Sequence, residues 1–247
     1  MEVQLRTKTM DDIAEIGPAN HLGYEKFTEF KKEFTSYAHS ELLIYNKIGG
    51  ETAPVSEGDS VWSMIQNDAI ASLQETLSDP QNHSSLTELL ARMEKAKHIY
   101  VTGGRLSGIA AAMLANKLRY LNLQVHDLSC GTVGDYIDQT ALVQPEDLVI
   151  AISFPRYTKR VVTALEDMHR RGVPIALITD KGLSPVHPFA DIVFHCATDS
   201  SAFLPCYTGC LALIDVICQA VCMEHRSEIT EYVRDLEKRL LAQGVWM

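Results

Sequence analysis

Apolar runs alternate with amphipathic stretches from residue 98 onward. The stretches at 107–121 and 158–171 have helical spacing, and they separate runs whose length and composition are typical of strands. Two runs, 147–152 and 174–179, are almost continuously apolar, as in strands that helices cover on both faces. Five runs predict strands: HIYVTG, LQVHDL, DLVIAIS, PIALIT and DIVFHC. We therefore predict an α/β fold with three layers around a five-stranded parallel sheet.

Helical patterns flank this core on both sides. Two of them, at 61–77 and 84–95, precede the first strand, and the second opens with the Ser-capped sequence SSLTEL. After the last strand come an apolar stretch at 203–222 and a charged amphipathic helix from residue 228 to about residue 241. The apolar stretch predicts a helix that is buried against the sheet or against a partner.

Local composition divides the chain into domains. Residues 49–60, GGETAPVSEGDS, gather Gly, Pro, Ser and acidic residues, which is typical of a linker. We therefore predict a small helical N-terminal region at 1–48, a linker at 49–60, and a domain with flanking helices at 61–247. The 247 residues, 46% of them hydrophobic, are enough for a full core.

Composition also bears on compartment, cofactors and partners. No stretch approaches the roughly 18 to 20 apolar residues of a membrane span, and the N-terminus lacks a secretory signal, so we expect a cytoplasmic protein without a membrane partner. The six cysteines form no CxxC pair, and four lie at helical spacing in one apolar segment. This favours reduced core thiols over a metal site, and we expect neither metal nor cofactor. The net charge of −10 argues weakly against DNA binding.

The first strand runs into GGRLSG, a sequence suited to an anion-binding turn. In an open parallel sheet, ligands bind beyond the carboxyl ends of the strands, where loop amides and a helix N-terminus face an anion. Gly103 and Gly104 permit a tight turn and a close backbone approach, while Ser107 places a hydroxyl near the next helix. Neutral dipoles would hold a phosphate here, although a generic strand-to-helix connection has the same residues.

The third strand ends in a similar way, with Ser153 at its terminus and Thr158 at the expected start of the next helix. Between them, Arg156 offers a planar guanidinium that matches phosphate or carboxylate oxygens, unless it is an ordinary surface arginine. A third cluster, Ser200 and Ser201, stands at the head of the apolar stretch. It offers hydroxyls and free N–H groups at a helix N-terminus, which N-capping alone would also explain.

Several stretches together resemble the SIS (sugar isomerase) domain, especially as the RpiR family of bacterial transcriptional regulators carries it. They are IYVTGGRLSGIAAAMLANKLRYL, DLVIAISFPRYTKRVVTALEDMHRRGVPIALITDKGLSPVHPFADIV and SSAFLP. The resemblance implies a five-stranded parallel sheet between helices, a homodimer or homotetramer, and a carbohydrate derivative such as a sugar phosphate as ligand. Together with the turns, it predicts these ligand-binding residues: Gly104, Arg105, Ser107, Ser153, Arg156, Thr158, Ser200 and Ser201.

The chain departs from the family pattern after the third strand. Many SIS domains have a Ser-x-Ser-Gly-x-Thr loop, but here Pro155 and Arg156 stand at the positions of the second Ser and the Gly. Pro155 has neither a hydroxyl nor an N–H, which removes two donors from a phosphate cradle. Either Arg156 compensates for them, or the ligand is not a simple sugar phosphate.

The N-terminal region resembles a shortened helix-turn-helix domain of the RpiR type. DDIAEIG resembles the opening of its sensor helix, and HLGYEKFTEFKKEF resembles the segment after its recognition helix, yet only residues 18–20 separate them. About a dozen residues are therefore missing, and a recognition helix needs roughly 8 or more to reach base edges. Residues 1–40 also carry five basic against seven acidic side chains, a balance of −2, so DNA binding is doubtful.

Three functions stay open at this point. The first is an RpiR-type transcriptional regulator that senses a phosphorylated sugar through its SIS domain, with DNA binding in doubt. The second is an aldose–ketose phosphate isomerase, which needs a general base. Only Asp199 and His187 are candidates for that base, since no Glu follows Asp199 before Glu224, so we expect no catalytic residue. The third is a SIS binding module that has lost DNA binding and acts through protein contacts.

Overall fold

The computed structural model describes residues 60–129, 131–180, 184–202 and 204–245. Five strands form one sheet in the order β2-β1-β3-β4-β5, and every pairing is parallel. The strands are β1 (Ile99–Gly103), β2 (Val125–Asp127), β3 (Leu148–Ile152), β4 (Ile175–Thr179) and β5 (Ile192–His195). The predicted α/β class and the five-stranded parallel sheet are confirmed.

Helices cover both faces of the sheet. Over the described ranges they are α1 (Val61–Ser78), α2 (Pro80–Lys95), α3 (Leu106–Tyr120), α4 (Val133–Leu142), α5 (Lys159–Arg170), α6 (Thr208–Glu224) and α7 (Arg226–Ala242), with a short 3₁₀ turn at His187–Phe189. The helix-turn-helix remnant predicted at 1–48 and nearly all of the linker predicted at 49–60 lie outside the described residues. Both stay predictions.

The central strands are buried on both faces, which explains their continuous apolar sequences. Val101 and Ile150 face a core layer that α2, α3 and α6 complete. Tyr100 and Val149 point to the opposite layer, where they pack with residues of α4 and α5 such as Leu165. Successive side chains of a strand alternate between faces, so one sheet supports two cores. The predicted three-layer arrangement follows from this.

The edge strand β5 is covered by polar side chains instead of a further strand. The amide of Asn82 donates through Nδ2 to the His195 carbonyl at 2.7 Å and accepts through Oδ1 from the His195 N–H at 2.7 Å. Ser85 Oγ donates to the carbonyl of Val193 at 2.6 Å. These bonds satisfy the backbone groups that an open edge would expose, and they fix α2 to the sheet.

A close helix crossing joins α1 to the start of α6. Ser72 Oγ donates to the carbonyl of Ala197 at 2.6 Å and accepts from the backbone N–H of Gly209 at 3.1 Å. A Cβ on Gly209 would lie 2.7 Å from the carbonyl oxygen of Ser72, so only glycine permits this approach. The crossing holds the segment after β5 against α1.

Two predicted helix starts are wrong. The helix expected at residue 84 begins at Pro80, because Asp79 caps it by accepting from the Gln81 N–H at 2.9 Å and proline favours the first helical position. The helix expected at residue 203 begins at Thr208. Pro205 disfavours a helical conformation for the residue before it, which delays the start.

One helix is missing from the sequence prediction altogether. α4 begins with a capping box, in which the Thr132 hydroxyl accepts from the Asp135 N–H and the Asp135 carboxylate accepts from the Thr132 N–H. This signal was present in the sequence. In the part of the chain that the structure describes, no single helix is long and apolar enough to span a membrane, and α6 and α7 pass that test only as a pair bent by 103°.

Candidate functional site

The turn between β1 and α3 carries Gly104, Arg105 and Ser107. A Cβ on the preceding Gly103 would lie 2.6 Å from the carbonyl oxygen of Ser107, so this turn is too tight for any side chain there. Arg105 precedes α3 with a φ of 58° and makes no side-chain cap. Among the residues that the structure describes, no side chain accepts from the first amides of α3. Ser107 lies in this first turn and is only 5% exposed.

The turn between β3 and α5 lies directly against the first turn. A Cβ on Gly104 would be 2.2 Å from Thr158 Oγ1 and 2.7 Å from Thr158 Cβ, so the two turns meet only because residue 104 is glycine. Ser153, at the end of β3, is 4% exposed. Thr158 precedes α5 but makes no side-chain cap, and within the described residues no side chain accepts from the first amides of α5. Two uncapped helix N-termini at touching turns are suited to an anion.

Arg156 lies in the same turn with a φ of 70° and an exposed side chain. This is the position at which the sequence resemblance places a Gly. The backbone therefore keeps a glycine-like conformation, which costs an arginine about 1 to 2 kcal/mol. The turn therefore has a backbone conformation that suits glycine, although its side chain is that of an arginine.

Tyr207, which no sequence pattern predicts as a site residue, connects these turns to the segment after β5. Its hydroxyl lies 3.2 Å from Ser107 Oγ, and its ring meets the Phe154 ring edge-on with centroids 5.2 Å apart. Burial raises the pKa of Tyr207, against the opposing effects of the Ser107 hydrogen bond and the positive charge of Arg105. The phenol is therefore neutral at physiological pH. The only local signal was an aromatic residue just before the apolar helix.

Ser200 and Ser201 are bound to a carboxylate of the same chain. Asp68 of α1 accepts from Ser200 Oγ at 2.8 Å, from the Ser201 N–H at 2.7 Å and from Ser201 Oγ at 3.0 Å. Burial alone would raise the pKa of Asp68, but these hydrogen bonds hold it below its ordinary value. The predicted place of the pair at a helix N-terminus is wrong, since α6 begins only at Thr208. The hydroxyls of Ser200 and Ser201 therefore already donate to an anion, the Asp68 carboxylate of the same chain.

A second polar cluster lies near the end of β1 and was also missed. Thr102 Oγ1 is 3.1 Å from the hydroxyl of Tyr136, and the guanidinium of Arg160 stacks 4.6 Å from the centre of the Tyr136 ring. Burial raises the pKa of Tyr136. Nε of Arg160 is buried and has no hydrogen-bond partner among the described residues. Arg160 is the second residue of α5, so this cluster adds positive charge beside the uncapped helix start.

The two sequence candidates for a general base, His187 and Asp199, are both exposed. His187 is exposed at the start of a 3₁₀ turn whose Phe189 packs against His169, in the last turn of α5 and so at the far end of that helix from Thr158. Asp199 is exposed. Among the residues with described positions, no group of three His, Cys, Asp or Glu side chains is arranged to hold a metal ion.

A wide apolar cavity of about 800 Å³ lies at the opposite end of α3, where Lys117, Tyr120, Val216 and Met223 contribute to its lining. It contains none of the predicted ligand-binding residues. The candidate site is therefore defined by the touching turns, with Gly104, Arg105, Ser107, Ser153, Arg156 and Thr158, and not by the size of a cavity.

Comparisons with known proteins identify the family and the fold of this chain. Residues 92–220 match the family model described as the SIS domain. An uncharacterised HTH-type transcriptional regulator of Haemophilus influenzae is 26% identical over 173 residues, which make up 70% of this chain and 59% of that protein. The chain thus spans less than two thirds of the length of this curated relative.

Solved structures show the same fold. The sugar isomerase domain of an RpiR transcription factor from Sphaerobacter thermophilus has a TM-score of 0.67 and 23% identity, over 73% of this chain and 99% of that one. The NanR protein of Vibrio vulnificus, in complex with ManNAc-6P, has a TM-score of 0.63 and 20% identity, over 76% of this chain and 72% of that one. A phosphoheptose isomerase from Francisella tularensis shares the fold as well, with a TM-score of 0.55 and 17% identity over 67% of this chain and 100% of that one. These matches confirm the resemblance that the sequence stretches predict.

Proposed function

Because the chain belongs to the SIS domain family, we propose that it binds a phosphorylated sugar, or a related anionic metabolite, and regulates transcription as RpiR-type regulators do. The observation that carries this proposal is the contact between Gly104 and Thr158. It brings two uncapped helix starts together at the carboxyl edge of a parallel sheet, where their amides and the nearby hydroxyls of Ser107 and Ser153 attract an anion. Ser200 and Ser201 join this site only if the ligand displaces Asp68.

Relatives favour a regulator over an enzyme. The relative from Haemophilus influenzae is named a transcriptional regulator, and the NanR structure contains a phosphorylated amino sugar. The isomerase alternative has the support of the shared fold, but its two sequence candidates for a general base, Asp199 and His187, are exposed. Asp180, a carboxylate beside the β3–α5 turn, accepts a hydrogen bond from the Tyr157 hydroxyl at 2.8 Å. The proposal includes a cytoplasmic protein that acts as a homodimer or homotetramer, with DNA as a doubtful partner because of the shortened N-terminal region.

Tyr207 offers a route from the ligand to the rest of the molecule. It is the residue directly before α6, and it contacts both Ser107 and Phe154. A ligand that reorients the Ser107 hydroxyl changes the hydrogen bond that holds the start of α6. For this to act as a signal, the ligand has to favour one of two positions of that helix. Hydrogen exchange at the first turn of α6, with and without ligand, tests this step.

Calorimetry with hexose and pentose phosphates tests the binding proposal. We expect at least one of them to bind, and Ser107→Ala and Ser153→Ala to weaken it by about tenfold or more, since a hydrogen bond to a charged group contributes about 1.5 to 3 kcal/mol. Ser227→Ala, an exposed serine on α7, is the matched control and leaves binding unchanged. Absence of binding across the panel, or full affinity in both variants, would refute the proposal.

Two further assays separate the alternatives. A coupled assay for aldose–ketose interconversion on the same sugar phosphates detects an isomerase, and the proposal predicts no turnover. A gel shift with the DNA upstream of the gene separates a regulator that binds DNA from a SIS module that acts through protein contacts. Retarded migration of that DNA at physiological salt supports a regulator that binds DNA. Unretarded DNA supports a SIS module that acts through protein contacts.

A further inference from the structure

Two arginines of the candidate site have backbone conformations that arginine rarely adopts. Arg105 has a φ of 58° and Arg156 a φ of 70°, in the region where the Cβ of any residue other than glycine is crowded by the backbone. Asn122, with a φ of 67°, is the third such residue in the described part of the chain. Its conformation is ordinary, because Asn tolerates this region and helices such as α3 commonly end in this way.

Both arginines flank the contact between the two turns. Arg105 directly follows Gly104, and Arg156 is two residues before Thr158. Both side chains are exposed, so neither contributes to the core. A glycine at either position would remove the backbone strain. The arginines are therefore not explained by a contribution to folding stability. Strained residues of this kind are concentrated at functional sites, where the side chain is needed.

Neither guanidinium has an acidic partner within the described ranges, although the whole chain has a net charge of −10. Elsewhere in the domain, Arg92 pairs with Glu88 and Arg239 with Asp235. The carboxylate of Asp180 lies beside the second turn, but it accepts from the Tyr157 hydroxyl at 2.8 Å and forms no ion pair with Arg156. Within the described residues, both guanidiniums are therefore available to an anion at the touching turns.

We infer that the ligand carries a second oxyanion, a carboxylate or a second phosphate, and that Arg105 and Arg156 bind it. This inference rests on the proposed function, in which the first turns of α3 and α5 hold the first phosphate. Pro155 contributes neither an N–H nor a hydroxyl to its turn, so the guanidinium of the next residue is the donor that replaces them. The planar fork of a guanidinium binds carboxylate or phosphate oxygens in pairs, which selects such a group against a neutral hydroxyl.

Calorimetry on the full chain with matched pairs of compounds tests the inference. Gluconate 6-phosphate and glucitol 6-phosphate differ only in a carboxylate against a hydroxymethyl group, and fructose 1,6-bisphosphate differs from fructose 6-phosphate by a second phosphate. We expect the compound with two anionic groups to bind about tenfold tighter or more in at least one pair. The pair that shows this preference identifies the second group as carboxylate or phosphate.

Variants at the positive-φ positions supply the second readout. Arg105→Gly and Arg156→Gly should remove most of the preference, with a smaller effect on the compound that has a single phosphate, and should raise the urea midpoint of unfolding. Asn122→Gly is the matched control, which changes stability in the same direction but leaves both affinities as they are.

The outcomes distinguish this inference from the proposed function. Equal affinities within both pairs, together with clear binding of the single phosphates, overturn the second oxyanion and leave the proposed function standing. No binding by any of the four compounds overturns the inference, and if the full panel of hexose and pentose phosphates also fails to bind, the proposed function is overturned with it. Arginine variants that lose both members of a pair equally, or that unfold at lower urea than the wild type, also overturn the inference, because the arginines then bind the common phosphate or stabilise the fold.

Discussion

Replacing Gly104 with alanine tests whether the two turns of the site meet as described. The backbone of Gly104 lies outside the left-handed region, so alanine is compatible with its conformation. The effect comes from the added methyl group, which would stand 2.2 Å from Thr158 Oγ1 and 2.7 Å from Thr158 Cβ. Carbon atoms pack at about 3.5 to 4 Å, so the turn after β3 has to move by roughly 1 Å.

The size of the effect follows from this displacement. Added methyl groups in well-packed places cost about 1 to 3 kcal/mol, and the half-buried Thr158 can move partly into solvent, so we expect a loss of unfolding free energy of about 1 to 2 kcal/mol. The shift also separates the amides of α3 from those of α5. Loss of one hydrogen bond to a charged ligand corresponds to about tenfold weaker binding or more.

Urea unfolding and calorimetry with a sugar phosphate measure both effects on the same samples. Gly134→Ala is the matched control, because its new Cβ would have its nearest neighbour, Thr132 Oγ1, at 3.8 Å. This control sits in α4 and should gain about 0.5 to 1 kcal/mol without a change in affinity. Adding Thr158→Gly to Gly104→Ala should recover part of the lost stability. If Gly104→Ala is as stable as the control and binds ligand like the wild type, the turns do not touch.

Three further predictions concern stability and reactivity. Asn82→Ala removes two hydrogen bonds to His195 at the β5 edge and one to the carbonyl of Thr76 in α1, and it should lower the unfolding free energy by about 2 to 3 kcal/mol. Asn116→Ala, whose Nδ2 bonds only its own helix, should change it by less than about 0.5 kcal/mol, and equal urea midpoints for the two variants would contradict the edge pairing. Because the pKa of Asp68 is lowered on folding, its contribution to stability is present above its ordinary value of 3.8 and is lost as the pH falls through the folded value. The difference in unfolding free energy between wild type and Asp68→Asn should therefore shrink in acid. A difference that stays constant with pH would contradict a lowered pKa of Asp68 in the folded chain. Burial raises the pKa of Cys218 from 9.0 to about 11. Alkylation of Cys218 at pH 8 should therefore be about 100-fold slower in the folded chain than in urea, because only the thiolate reacts. Equal rates of Cys218 alkylation in the two conditions would be inconsistent with its burial.

The strands and long helices are predictable from the sequence because burial imposes a period on it. The central strands contact helices on both faces, and this leaves continuous apolar runs at 147–152 and 174–179. Helix ends are harder to predict, because they depend on one or two residues. Asp79 and Pro80 start α2 earlier than the apolar pattern indicates, and α4 depends on its capping box more than on an apolar face.

The site could be predicted only as far as its residues are local in sequence. The turn between β1 and α3 and the turn between β3 and α5 each come directly after a strand. They could be predicted to lie close together, because the carboxyl ends of parallel strands share one edge of the sheet. The hydrogen bond between Ser107 and Tyr207 joins residues 100 positions apart, and that between Asp68 and Ser200 joins residues 132 positions apart. No local pattern encodes such contacts, so neither Tyr207 nor the hydrogen bonds between Asp68 and Ser200 could be predicted from the sequence.

The central feature of the proposed site is the convergence of the α3 and α5 starts on one anion, and backbone amide NMR during a titration with a sugar phosphate tests it directly. We predict that the amides of Leu106 and Ser107 and those of Lys159 and Arg160 shift together, with a single midpoint, while amides at the far ends of both helices stay in place. Shifts confined to one of the two turns, or different midpoints for the two, would contradict a common binding site.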